Sequence, residues 1–179
     1  MQAIVFMAGF AAFWWIAGLW GAPLPTWFMV GGPIISVLMI FIARRRLRGV
    51  PARSPQAAKR AGRIVGWAVG GEALAMTVVG NLLAINHQTA FVLPAMAIIV
   101  GLHFLPLAVL LKVRVYYATA LLLILVGLAG LFLQAPLRNL VTGLSSAGLL
   151  WLTCVAWLST ETRRRVAGAA EAGARLSFR

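Results

Sequence analysis

Residues 64–111 read IVGWAVGGEALAMTVVGNLLAINHQTAFVLPAMAIIVGLHFLPLAVLL. Two nearly unbroken apolar runs, Ile64 to Ile85 and Ala90 to Leu111, flank a short polar turn from Asn86 to Thr89. Each run has about the 20 residues that an α-helix needs to cross roughly 30 Å of hydrocarbon. The pair therefore reads as two antiparallel transmembrane helices, the third and fourth of the chain.

Working outward, the same pattern recurs on both sides. Ala3 to Trp20 is an apolar run with no basic residues before it and no small-x-small cleavage site, so it reads as a first span rather than a signal peptide. GAPLPT (Gly21 to Thr26) is an uncharged, proline-kinked turn, and Trp27 opens a second span reaching about Ala43. Tyr116 to Leu133 forms a fifth span and Leu140 to Leu158 a sixth. The expected fold is all-α, a polytopic six-transmembrane-helix bundle. It comprises a membrane domain over residues 1–158, with a basic loop at 44–63, and a basic tail at 159–179.

Composition agrees. The chain has 179 residues, 62% hydrophobic and 11% charged, with a mean hydropathy of +0.94. That is too little polar surface for a soluble domain. Six spans also leave no room for a separate catalytic domain.

Charge placement sets the topology. Sixteen Lys and Arg stand against three acidic residues, a balance that in a soluble protein would suggest nucleic acid. Here the cations flank apolar spans with few aromatics among them, unlike a nucleic-acid surface. Arg44, Arg45, Arg46, Arg48, Arg53, Lys59, Arg60 and Arg63 fill the second connection, Lys112 and Arg114 the fourth, and Arg163, Arg164, Arg165, Arg175 and Arg179 the tail. Six helices with both termini cytoplasmic put 15 of the 16 cations on one side, leaving Arg138 outside. The expected setting is the inner (cytoplasmic) membrane, with anionic lipid headgroups as partners of the basic loop. Docking of a protein partner on that loop is the rival reading, and homo-oligomerisation is left open.

Chemistry within the membrane rests on two residues. Glu72 lies eight positions into the third span and His103 eight positions before the end of the fourth. Both are therefore about 12 Å from the same end of the bundle. Ionisable groups at such depth cost a few kcal/mol and need partners. One reading pairs them as a ligand or proton site. The other has each group satisfied separately, specifying helix packing only. Pro106, lacking an amide hydrogen, frees the carbonyl of Leu102 beside His103, a weak site marker.

Gly66, Gly70, Thr77 and Asn81 fall within about 60° of one another on the third helix, a small and polar stripe opposite Glu72. Thr77 and Asn81 join Glu72 and His103 as candidate ligand-site residues. Two non-lipid faces predict that the third helix is the most enclosed in the bundle and the almost wholly apolar fifth among the most exposed.

No cofactor is expected. His87 lies sixteen residues from His103, about 24 Å along a helix, too far to share a haem. The single cysteine, Cys154, forms no internal disulfide, and no CxxC or HExxH is present. An axial pairing of His103 with Met96, Met76 or Cys154 is the residual metal or haem reading, with methionine more often core filler.

The segment GLHFLPLA (Gly101 to Ala108), followed by Tyr116 and Tyr117, resembles a motif of an uncharacterised family of small bacterial multi-helix membrane proteins. The resemblance covers the fourth and fifth spans and rests chiefly on Gly101, His103, Phe104, Leu105 and Pro106. It implies the architecture argued above and no activity. A small-solute or proton-coupled transporter or binding protein is the leading functional expectation. A non-transporting scaffold or regulatory subunit comes second. An enzyme comes third, because no nucleophile and base, metal cluster or paired carboxylates assemble.

Overall fold

A computed structural model describes residues 2–48 and 55–177. They form six helices, α1 (Gln2–Leu19), α2 (Trp27–Leu47), α3 (Pro55–Ile85), α4 (Val92–Leu111), α5 (Val115–Phe132) and α6 (Leu137–Ser177), with a 3-10 turn at Thr89–Phe91. No strand occurs among the described residues. Five of the helices are long and apolar enough to cross a membrane, and the described part of α1, Ile4–Leu19, is apolar but shorter. Large apolar side chains stand exposed around the bundle, among them Phe132, Trp67, Ile85, Trp20 and Trp27. Such a belt would be insoluble in water and is the surface a bilayer covers.

Local sequence sets the helix ends. Gly21 adopts a positive φ of 77° just past α1, where a side chain would be strained. At the end of α4, Lys112 takes the left-handed conformation, and the amide of Val113 reaches back to the carbonyl of Ala108 at 3.2 Å. Arg44, Arg45 and Arg46 occupy the last turn of α2, where cations complement the negative end of the helix dipole.

The polar stretch at 44–63 is more helical than its proline content suggested. Pro55 opens α3, so Lys59, Arg60 and Arg63 lie on its first turns rather than in a loop. Proline is well suited to a first helical turn, and the alanine-rich residues after it propagate the helix. Pro51, Arg53 and Ser54 lie outside the described residues. The tail likewise continues α6 as far as Ser177.

The helices pack in a row rather than a ring. The core lies between α1, α4, α5 and α6; α2 rests on α1 and α6, and α3 packs on α4. Two seams bring backbones together. At the α1/α6 crossing a methyl group on Gly18 would lie 2.8 Å from Gly143 Cα. At the α4/α5 seam Gly101 faces Ala120 O and Gly127 faces Pro94 O, each leaving under 3 Å for a side chain. Small residues permit such approach, and dispersion between the facing backbones rewards it.

The expected centre and periphery are exchanged. No residue of α3 between 59 and 85 is buried, and Gly66, Gly70 and Gly80 face open space. By contrast α5 buries Tyr116, Thr119, Ala120, Leu123, Gly127 and Gly130. The reason is physical: α3 meets the core cluster through the apolar face that carries Ile64, Val65, Ala68 and Met76, which turns the small stripe away. The small residues of α5 fit directly between α4 and α6.

Polar side chains fasten the row. Ser36 of α2 donates to the carbonyl of Ala8 on α1 at 2.6 Å and accepts from Trp151 Nε1 of α6 at 3.0 Å. Trp15 stacks obliquely on Trp151 and fills the space beside Gly32. Thr119 and Thr153 bond hydroxyl to hydroxyl at 2.7 Å between α5 and α6. At the far end Arg138 donates through Nε to the carbonyl of Leu133 at 2.9 Å and lies 4.4 Å over the Phe91 ring. It thus caps the end of α5, which accounts for a cation away from the basic loops.

Candidate functional site

Glu72 and His103 meet at the α3/α4 seam. His103 Nδ1 lies 3.4 Å from Glu72 Oε2, with the imidazole 9% and the carboxyl 12% exposed. His103 stands on the flank of α4 beside the buried Phe104, whose ring it meets edge to face. Phe104 in turn packs on Tyr116 of α5. Glu72 lies on the α3 face that carries Ala68 and Met76.

A closer partner fixes the imidazole. Nδ1 lies 3.0 Å from the backbone carbonyl oxygen of Ala68, one turn before Glu72. A carbonyl has no proton to give, so Nδ1 carries the hydrogen and donates it. At 3.4 Å the Glu72 oxygen stands within ion-pair reach of the same nitrogen, whose hydrogen is directed at Ala68. The neutral imidazole therefore keeps its lone pair on Nε2.

On the carboxyl, Oε1 is buried with no hydrogen-bond partner among the described residues. Two positions thus remain where a proton can be gained or lost, Nε2 of His103 and the Glu72 carboxyl. Exchange at either one alters the charge of the pair by one unit and leaves the Nδ1 to Ala68 bond in place. Chemically, the arrangement can hold a proton, or hold a cation against the carboxylate.

The other sequence candidates lie elsewhere. Thr77 donates to its own helix at Ala73 O (2.8 Å) and Asn81 to Thr77 O (2.7 Å), both exposed on the outer face of α3. They do not join the pair. His87 sits exposed in the turn after α3 with a φ of 57°. Cys154 is a buried free thiol on α6. Among the described residues no group of three or more His, Cys, Asp or Glu side chains comes together.

Sequence reading missed Ala68, because a backbone acceptor has no residue-type signature. Ala68 precedes Glu72 by four positions, so its carbonyl lies one helical turn away on the same face. That is the one signal available. Thr142 and Trp14 were missed as well: both are fully buried, with a polar atom that has no partner among the described residues.

An all-helical bundle with a lipid-ready surface and a carboxyl–imidazole pair between two of its helices is an integral membrane protein. Its family is shown by residues 64–161, which match the family of unknown function DUF7010, and the chain belongs to that family. The match runs from α3 to α6. No curated protein and no solved structure matches the chain.

Proposed function

We propose that this is a six-span protein of the inner (cytoplasmic) membrane, with both termini cytoplasmic, that binds or moves a small solute or protons through a site at Glu72 and His103. The observation that carries the reading is the 3.4 Å approach of an intramembrane carboxyl to an imidazole whose other ring nitrogen is left with a free lone pair. A pair fixed by one backbone bond and open at two titratable positions can alternate between charge states at small structural cost. Its place on the outermost helix pair supports access from one side, since α3 is backed chiefly by α4. The basic ends of α2, α4 and α6 support the orientation.

Full-length protein in liposomes loaded with a pH-sensitive dye tests this. Under an imposed potassium diffusion potential, wild type is expected to carry protons, and Glu72→Gln to abolish the flux while keeping its thermal stability in detergent. Unchanged flux in Glu72→Gln refutes the site. Loss of stability without a wild-type flux assigns the pair to packing.

The second reading is a non-transporting scaffold or regulatory subunit. It is favoured by the outer face of α3, where Gly66 and Gly70 face open space and Thr77 and Asn81 are exposed and bonded only within their own helix among the described residues. Polar groups turned toward lipid gain from a neighbouring helix. In this reading the basic residues between α2 and α3 contact a partner or anionic lipid.

A further inference from the structure

A second candidate site lies on the opposite flank of the bundle. Where α1 begins, α2 and α6 continue beside it, and a cleft of about 200 Å³ opens between the three helices. Its walls are apolar, formed chiefly by Ile4, Ile42, Val155 and Leu158; the buried Cys154 also lines it, and so does Arg46. Ile42 and Val155 are about half exposed, so the cleft opens sideways to the surface that lipid covers. Arg46 follows Ile42 by four residues, one helical turn, about 6 Å nearer the basic end of the bundle. Arg44, Arg45 and Arg48 crowd the same turn.

We infer that this cleft binds one anionic phospholipid, with an acyl chain along the apolar wall and the phosphate on Arg46. The vertical order supports it: apolar wall toward the middle of the bilayer, guanidinium at headgroup depth, as in the lipid itself. Charge complementarity selects the occupant. A zwitterionic headgroup brings its own cation toward an arginine cluster, whereas a phosphatidylglycerol headgroup brings only the anion that arginine recognises. A soluble anion would leave the apolar wall unused, and an apolar peptide would leave Arg46 without a partner. This inference rests on the membrane reading alone, not on the Glu72 and His103 pair.

The test is native mass spectrometry of the full-length protein released from micelles containing equal phosphatidylglycerol and phosphatidylcholine. Wild type is expected to retain phosphatidylglycerol preferentially as its first adduct. Arg46→Gln should lower that preference about fivefold, the effect of one cation near the headgroups. Arg114→Gln, an exposed cation on another connection at the basic end, should leave it unchanged. Val155→Trp, placed at a half-exposed position, should fill the cleft and remove the adduct. Equal losses in Arg46→Gln and Arg114→Gln would reduce the effect to diffuse charge and overturn the site. So would an adduct that survives Val155→Trp, or one displaced by millimolar inorganic phosphate.

Discussion

Gly143→Ala adds one methyl group at the α1/α6 crossing, and the structure sets what it meets. The new Cβ would meet Gly18 Cα first and would lie 2.7 Å from Gly18 N and 2.8 Å from Trp14 O, backbone atoms that cannot rotate away. Relieving those approaches, that of Gly18 Cα above all, separates the helices by about 1 Å or more, enough to forfeit about half of the dispersion along the seam. Overpacking of this kind costs about 1–3 kcal/mol. The folded-to-unfolded ratio should therefore fall by between about fivefold and about 150-fold. Gly66→Ala makes the same chemical change where nothing lies within 4 Å, and should be neutral or stabilising by up to ~1 kcal/mol through helix propensity. Equilibrium unfolding in mixed micelles of rising dodecyl sulfate, followed by tryptophan fluorescence, measures both. Equal effects of the two substitutions would refute the assignment of α1/α6 as a close seam and of α3 as an open face.

Other outcomes follow from the polar contacts. Ser36→Ala should destabilise by about 1–3 kcal/mol, because it strands Trp151 Nε1 without an acceptor; Ser36→Ala with Trp151→Phe should recover part of that loss in the same unfolding assay. Thr119→Val and Thr153→Val should show a coupling of about 1 kcal/mol in a double-mutant cycle, and strict additivity would contradict the shared hydroxyl bond. Arg138→Ala should raise amide exchange at Phe91 and around Leu133, with no change near Glu72. Labelling of a cysteine at Ser54 from the periplasmic side in intact cells would sink the proposed orientation.

Much of the architecture was readable because the bilayer imposes a length on apolar runs, and Glu72 and His103 could be placed at one depth by counting residues from the basic ends. Rotation about the helix axis was harder. The stripe from Gly66 to Asn81 has the composition of a packing face, yet the glycines at the seams are Gly18, Gly32, Gly101, Gly127, Gly130 and Gly143, spread over the five other helices. A glycine allows close approach without requiring it, and which neighbour arrives depends on the whole bundle. The loop boundary failed for a different reason. Charges and prolines mark where a chain leaves the hydrocarbon, not where its helix stops, so α3 begins at Pro55 although its apolar run begins at Ile64.

The lengths of α3 and α4 do not match. The span Lys59–Ile85 has 27 residues and extends about 40 Å, whereas the span Thr89–Leu111 has 23 and extends about 35 Å. Two antiparallel rods of unequal length cannot both stand upright in one slab of hydrocarbon, so α3 leans or lifts its basic turns among the headgroups. With α4 as its main support, α3 is the component whose lean answers to bilayer thickness. A slide of one residue along α4 is about 1.5 Å, which would carry Glu72 along the flank of α4 that holds His103. Bilayer thickness thereby bears on the register between α3 and α4, the seam at which Glu72 and His103 meet.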